Sequence, residues 1–116
     1  MSTAPVEPAL SDLDYHRETS ALLADIESTI DHWLQDDVVD IDAQRSGGLL
    51  ELTFPNGSKI ILNTQPPLHE VWLAPRGGGF HYRWKSGRWL DTRDSSDLMH
   101  ALAFHASAQA GHALAF

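Results

Sequence analysis

The sequence predicts an α+β fold, a two-layer αβ sandwich in which two helices pack on one face of a five- or six-stranded antiparallel sheet. Three observations predict it. Apolar residues recur at helical spacing over residues 12–34, a period of two takes over from Val38, and a second helical register closes the chain over residues 96–110. The turns between the period-two segments are short, so neighbouring strands pair antiparallel and no βαβ crossover fits between them.

The first helix is amphipathic. Tyr15, Leu22, Leu23, Ile26, Ile30 and Trp33 share one face, and Ser11 stands as N-cap with Asp14 three residues on. Residues 1–9, rich in Pro and Ala, read as a flexible tail preceding a single domain over 10–116. In the first strand Val39, Ile41 and Ala43 alternate with Asp40, Asp42 and Gln44. Ser46-Gly47-Gly48 then turns the chain into Leu50, Leu52 and Phe54, which alternate with Glu51 and Thr53. Pro55-Asn56-Gly57 turns it again, into a third strand over residues 58–63. After Gln65-Pro66-Pro67, Val71 and Leu73 face one way while Glu70, Trp72 and Ala74 face the other. Beyond Gly77-Gly78-Gly79, Phe80, Tyr82 and Trp84 alternate with His81, Arg83 and Lys85, which gives one aromatic and one cationic face. Ser86-Gly87 leads to a short last strand, and Leu98, Met99, Leu102, Ala103 and Ala106 define the second helix, stopped by Gly111. The sheet face away from the helices is expected to carry Asp40, Asp42, Glu51, Lys59, Asn63, Trp72, His81 and Arg83.

Composition narrows the function. The chain has 116 residues, 42% of them hydrophobic, which suits one core. No apolar run reaches the ~18 residues of a membrane span, and the N-terminus has neither the basic nor the apolar part of a secretory signal, so the cytoplasm is expected. The absence of cysteine removes disulfides, thiolate catalysis and cysteine-ligated metals. A net charge of −8 argues against nucleic acid or an anionic membrane as the main partner. That charge is segregated. Eleven of the sixteen carboxylates, and one of the eight Lys/Arg residues, lie in the first forty-two positions. Cations or a basic protein surface are the partners such a field favours.

Two surfaces stand out. Glu27, Asp31, Asp36, Asp37, Asp40 and Asp42 form a run of hard oxygen donors suited to Ca²⁺, Mg²⁺, Mn²⁺ or iron. The run lacks the spacing of an EF-hand loop, so weak and overlapping cation sites, or simply a solvated face, are the two readings it allows. Trp72 is the anomaly of the outward sheet face, with Asn63 and Gln65 beside it, and exposed aromatics are enriched at protein contacts. A twist that tucks the indole away is the alternative. Of the histidines, His100, His105 and His112 lack the i, i+4 pairing of helical zinc sites, whereas His16 near Asp12 and His32 beside Asp31 are potential extra nitrogen ligands. No nucleophile elbow, phosphate loop or dinucleotide fingerprint is present. Asn56-Gly57-Ser58 is a formal glycosylation sequon that reads better as turn chemistry.

Residues 47–74 resemble the core signature of the frataxin family in its bacterial form. The N-G-S-K-I-I strand, the N-x-Q before proline and the H-x-V-W-L-A strand carry the resemblance, and the flanking helices extend it across nearly the whole chain. The resemblance implies a non-enzymatic, iron-binding accessory and regulator of iron–sulfur cluster assembly. It implies weak Fe²⁺/Fe³⁺ binding on an acidic ridge made here of Asp12, Asp14, Glu27, Asp31, Asp36, Asp37, Asp40 and Asp42. It further implies docking on the cysteine desulfurase and the scaffold protein, with the sheet surface around Asn63, Gln65 and Trp72 meeting the partners. A monomer is expected, with iron-dependent oligomers left open. Ser28, His32, Gln44 and Pro55 depart from the family by standing where acidic residues are allowed. Two other readings remain, a ferroxidase or iron-storage protein and an acidic interaction module with incidental metal binding.

Overall fold

A computed structural model describes residues 10–116; the expected tail over residues 1–9 lies outside them. The order is α1 (Asp12–Gln35), β1 (Asp42–Ser46), β2 (Leu49–Thr53), β3 (Lys59–Gln65), β4 (Glu70–Ala74), β5 (Phe80–Lys85), β6 (Arg88–Asp91) and α2 (Leu98–Ala110). The six strands form one antiparallel meander in which every strand lies beside its sequence neighbour. The alternation read from the sequence sets the layers. Leu50, Leu52, Ile60, Leu62, Val71, Leu73 and Tyr82 point to the side covered by the helices and are buried there with Leu22, Leu23, Ile26 and Ile30 of α1 and Leu98, Leu102 and Ala106 of α2. Each such aliphatic side chain contributes about 1.5–3 kcal/mol by leaving water.

Ser11 caps α1 as expected, its hydroxyl accepting from the Asp14 N–H at 3.1 Å. β1 begins later than the period-two pattern suggests. Val39 is half-buried and Ile41 buried, but Asp40 precedes the strand, because β2 ends at Thr53, the partner of Asp42, and leaves nothing upstream to pair with. Between β1 and β2 the chain turns tightly under β3. A Cβ on Gly48 would lie 1.9 Å from Thr64 Oγ1, so any larger residue there would force the Thr64 side chain to shift. α2 also begins two residues later than expected, at Leu98, with Asp97 as its cap. Gly111 ends it in the left-handed region, at φ 82°.

The Pro55–Ser58 turn is fastened to α2 by a buried residue that hydrophobic spacing does not flag. Gln109 accepts from the Arg76 N–H at 2.9 Å and donates to Ser58 Oγ at 3.0 Å and Lys59 O at 3.2 Å. Asn56 completes the fastening: its Oδ1 accepts from Ser58 N–H at 3.0 Å and its Nδ2 donates to Gln109 O at 2.8 Å. The amide nitrogen that glycosylation would modify is thus engaged in a hydrogen bond to α2.

Candidate metal-binding ridge and docking face

The core face of α1 leaves Asp12, Asp14, Glu27 and Asp31 on its outer surface. At the end of the helix Asp37 adopts φ 57°, its N–H donating to Leu34 O at 3.3 Å while Val38 N–H donates to Trp33 O at 2.8 Å. This is the paired closure of a Schellman turn, with aspartate where glycine is usual. The turn carries the chain out of α1 towards β1 and leaves Asp31, Asp36, Asp37, Asp40 and Asp42 exposed in succession.

The ridge divides into engaged and open carboxylates. Asp12 Oδ1 lies 2.6 Å from His69 Nε2, Asp14 pairs with Arg17 at 2.9 Å and Glu27 with Arg45 at 2.8 Å, while Asp42 accepts from the Gln44 amide at 3.2 Å. Asp31, Asp36, Asp37 and Asp40 have no side-chain partner among the described residues. The nitrogen beside Asp12 therefore comes from His69 rather than His16, because the 3-10 turn Pro66–Leu68 brings His69 to the first turn of α1. His32 does not reach over to Asp31 either; its Nδ1 sits 2.8 Å from Ser28 O. Among the described residues no three His, Asp or Glu side chains converge on a point where a metal ion would be held. Exposed oxygens spread in this way fix no coordination shell among the described residues.

The second surface lies on the sheet face away from the helices. Antiparallel register sets Asn63 opposite Trp72 and Gln65 opposite Glu70, so the three expected docking residues do share one area. All three are half-buried, so Trp72 does not stand free. Its indole lies flat on His81, the next residue across the ladder, with ring centroids 4.2 Å apart and planes 7° from parallel. Trp72 Nε1–H donates to Glu70 Oε1 at 2.9 Å, and Arg83 Nε–H donates to Glu70 Oε2 at 2.9 Å. Glu70 itself is only 5% exposed although it faces outward. On the other side of the strand its carbonyl accepts from the Tyr15 hydroxyl at 2.6 Å, and that hydroxyl accepts from Gln65 N–H at 3.0 Å. Burial pushes the Tyr15 phenol above its usual pKa, the Gln65 N–H opposing that rise. Glu70 and Tyr15 are the residues that sequence reasoning missed here. The i, i+2 spacing of Glu70 and Trp72 was visible, but the Arg83 partner depends on strand register.

Taken together, these observations define an α–β6–α sandwich protein with an acidic end to its first helix and a stacked Trp72–His81 pair on the outward sheet face. Comparison with known proteins gives the class its family. Residues 8–112 match the family model described as the frataxin-like domain. The iron–sulfur cluster assembly protein CyaY of Burkholderia mallei (strain SAVP1) is 49% identical over 107 residues, 92% of this chain and 98% of that protein. The frataxin of Psychromonas ingrahamii superposes with a TM-score of 0.80 at 31% identity, over 90% of this chain and 96% of that one. The trimeric frataxin of Saccharomyces cerevisiae, in a crystal structure complexed with ferrous, gives a TM-score of 0.63 at 24% identity, over 93% of each chain, a likeness of fold alone. The chain belongs to the frataxin family. It is a non-enzymatic member, as that family's assembly proteins are. No helix among the described residues is long and apolar enough to cross a membrane.

Proposed function

We propose that the protein is an iron-binding accessory and regulator of iron–sulfur cluster assembly in the cytoplasm, docking on the cysteine desulfurase and scaffold complex through its acidic ridge and the Trp72 sheet face. The observation that carries the reading is the set of four exposed carboxylates without side-chain partners among the described residues, Asp31, Asp36, Asp37 and Asp40, gathered around the end of α1. Asp36 and Asp37 also sit at the negative end of the helix dipole, where carboxylates are unfavourable, and Asp37 adopts a backbone conformation that glycine would adopt more readily. A sequence kept for stability alone would place other residues there. Fe²⁺ is the cargo that such hard oxygen donors hold weakly, and a basic surface on the desulfurase would meet the same charges.

The test separates the two jobs. Asp36, Asp37, Asp40 and Asp42 are reversed to Lys, and Fe²⁺ binding and desulfurase binding are measured independently under anaerobic conditions. Both are expected to weaken. Loss of desulfurase binding with iron affinity unchanged would remove the metal role of the cluster and leave the acidic interaction module. In the native protein, backbone amide signals from Asp31 to Asp42 are expected to broaden on adding Fe²⁺ while those of α2 do not; broadening centred on His100, His105 and His112 would overturn the ridge assignment.

A further inference from the structure

Glu70 is a buried carboxylate on the wrong face of the sheet. Its neighbours on β4, Val71 and Leu73, are buried by the helices, whereas the Glu70 carboxylate points away from them and meets Trp72, His81 and Arg83. Covering a carboxylate removes its hydration, which is unfavourable unless its oxygens find donors. Oε1 receives the Trp72 indole N–H at 2.9 Å, with His81 Nδ1 3.6 Å away, and Oε2 receives Arg83 Nε–H at 2.9 Å. An indole on an open sheet face has no need of such a partner, because water would accept from Nε1. What the arrangement gains is a single orientation for the ring, stacked at 4.2 Å on His81 and held by its edge.

We infer that Glu70 is a positioning residue, whose carboxylate fixes the Trp72 ring against His81 so that the sheet face offers its partner one pre-ordered aromatic plate. The inference rests on the proposed docking role of that face. Ordering the indole during folding removes part of the entropy that docking would otherwise consume, so affinity depends on Glu70 although its side chain is almost inaccessible to a partner. The backbone of the same residue is held from the helix side by Tyr15, so the anchor is fixed on both faces of β4. The effect is predicted to run through the indole N–H, which distinguishes positioning from a general loss of stability.

The experiment is a double-mutant cycle read in two ways. In the free protein, Glu70→Ala is expected to shift the Trp72 indole N–H resonance and speed its exchange with solvent, and Glu70→Gln, which keeps an acceptor oxygen, is expected to restore much of both. In binding to the purified desulfurase and scaffold complex, Glu70→Ala is expected to weaken affinity about tenfold in the native background and less than twofold in Trp72→Phe, where a smaller aromatic ring stands and the indole N–H is gone. Equal losses in the two backgrounds, or an indole signal unmoved by Glu70→Ala, would overturn the inference. Should Trp72→Ala leave binding intact while the indole signal still responds to Glu70→Ala, the docking role of the face would fall and the positioning contact would stand.

Discussion

Tyr82 is wholly buried, yet its phenolic oxygen has no hydrogen-bond partner among the described residues. Burial raises its pKa first, and the carboxylates of Asp91, Asp94 and Asp97 add to the rise, to about 12. Below pH 10 the proton is on in both folded and unfolded chains. Between pH 10 and about 12 the unfolded chain releases it while the folded chain keeps it, so stability falls as pH rises through that window. Tyr82→Phe is therefore expected to leave stability at pH 7 unchanged or raise it by up to about 1 kcal/mol, since an unpaired buried hydroxyl contributes no bond. The variant should also lose stability less steeply above pH 10, which urea unfolding at a series of pH values would show. A loss of more than about 2 kcal/mol at pH 7 would mean that the hydroxyl has a bonding role. The orphan hydroxyl illustrates what spacing leaves unread. The alternation of Phe80, Tyr82 and Trp84 identifies the core side of β5, but which oxygen finds a donor or acceptor there depends on the end of β6 and the loop after it, which bring in Asp91, Asp94 and Asp97.

At the scale of elements, α1 carries the tension between stability and function. Its start is conventional, with a serine cap and acidic residues in the first turn, whereas its end places Asp36 and Asp37 where the dipole is negative and the backbone turns left-handed. Replacing Asp37 by Gly relieves the backbone cost and one unfavourable charge, and is expected to stabilise the protein by about 1 kcal/mol, raising the midpoint of thermal unfolding by about 5 °C. Iron affinity should fall in the same variant, and a calorimetric scan beside an Fe²⁺ titration checks both; an unchanged or lower midpoint would deny the strain. Most elements were legible from the sequence because capping, alternation and turn chemistry agree with one another. β1 was read too long because alternation reports burial, which Val39 and Ile41 do share, while a strand also needs a partner of equal length. The candidate ridge was legible as a list of residues. Its division into engaged and open carboxylates was not, since His69 and Arg45 reach it from distant elements.

For the molecule as a whole, charge segregation survives folding: α1 and its exit are acidic, while Arg83, Lys85, Arg88 and Arg93 are exposed around β5, β6 and the loop after β6. Such a dipolar body is oriented by a charged partner before contact. Raising ionic strength from 0.05 to 0.5 M is expected to slow association with the desulfurase about tenfold or more while changing dissociation much less, as stopped-flow mixing would report. A salt-independent association rate would place docking on the sheet face without the ridge. The resemblance to a family is legible because residues 47–74 combine strand pattern and turn chemistry in one continuous stretch; Glu70 lies within that stretch, but alternation gives only its side of the strand and not its burial. The open sheet also has two outer margins. On β1 the margin is five residues long and exposes Asp42, Gln44, Arg45 and Ser46, and beyond β6 the chain folds back, Asp91 N–H donating to Ser96 O at 2.8 Å and Leu90 bridging to Asp97. Short, charged or covered margins give a neighbouring molecule little backbone to zip onto. Contact between copies of this fold is therefore left to side chains rather than to growth of a continuous sheet.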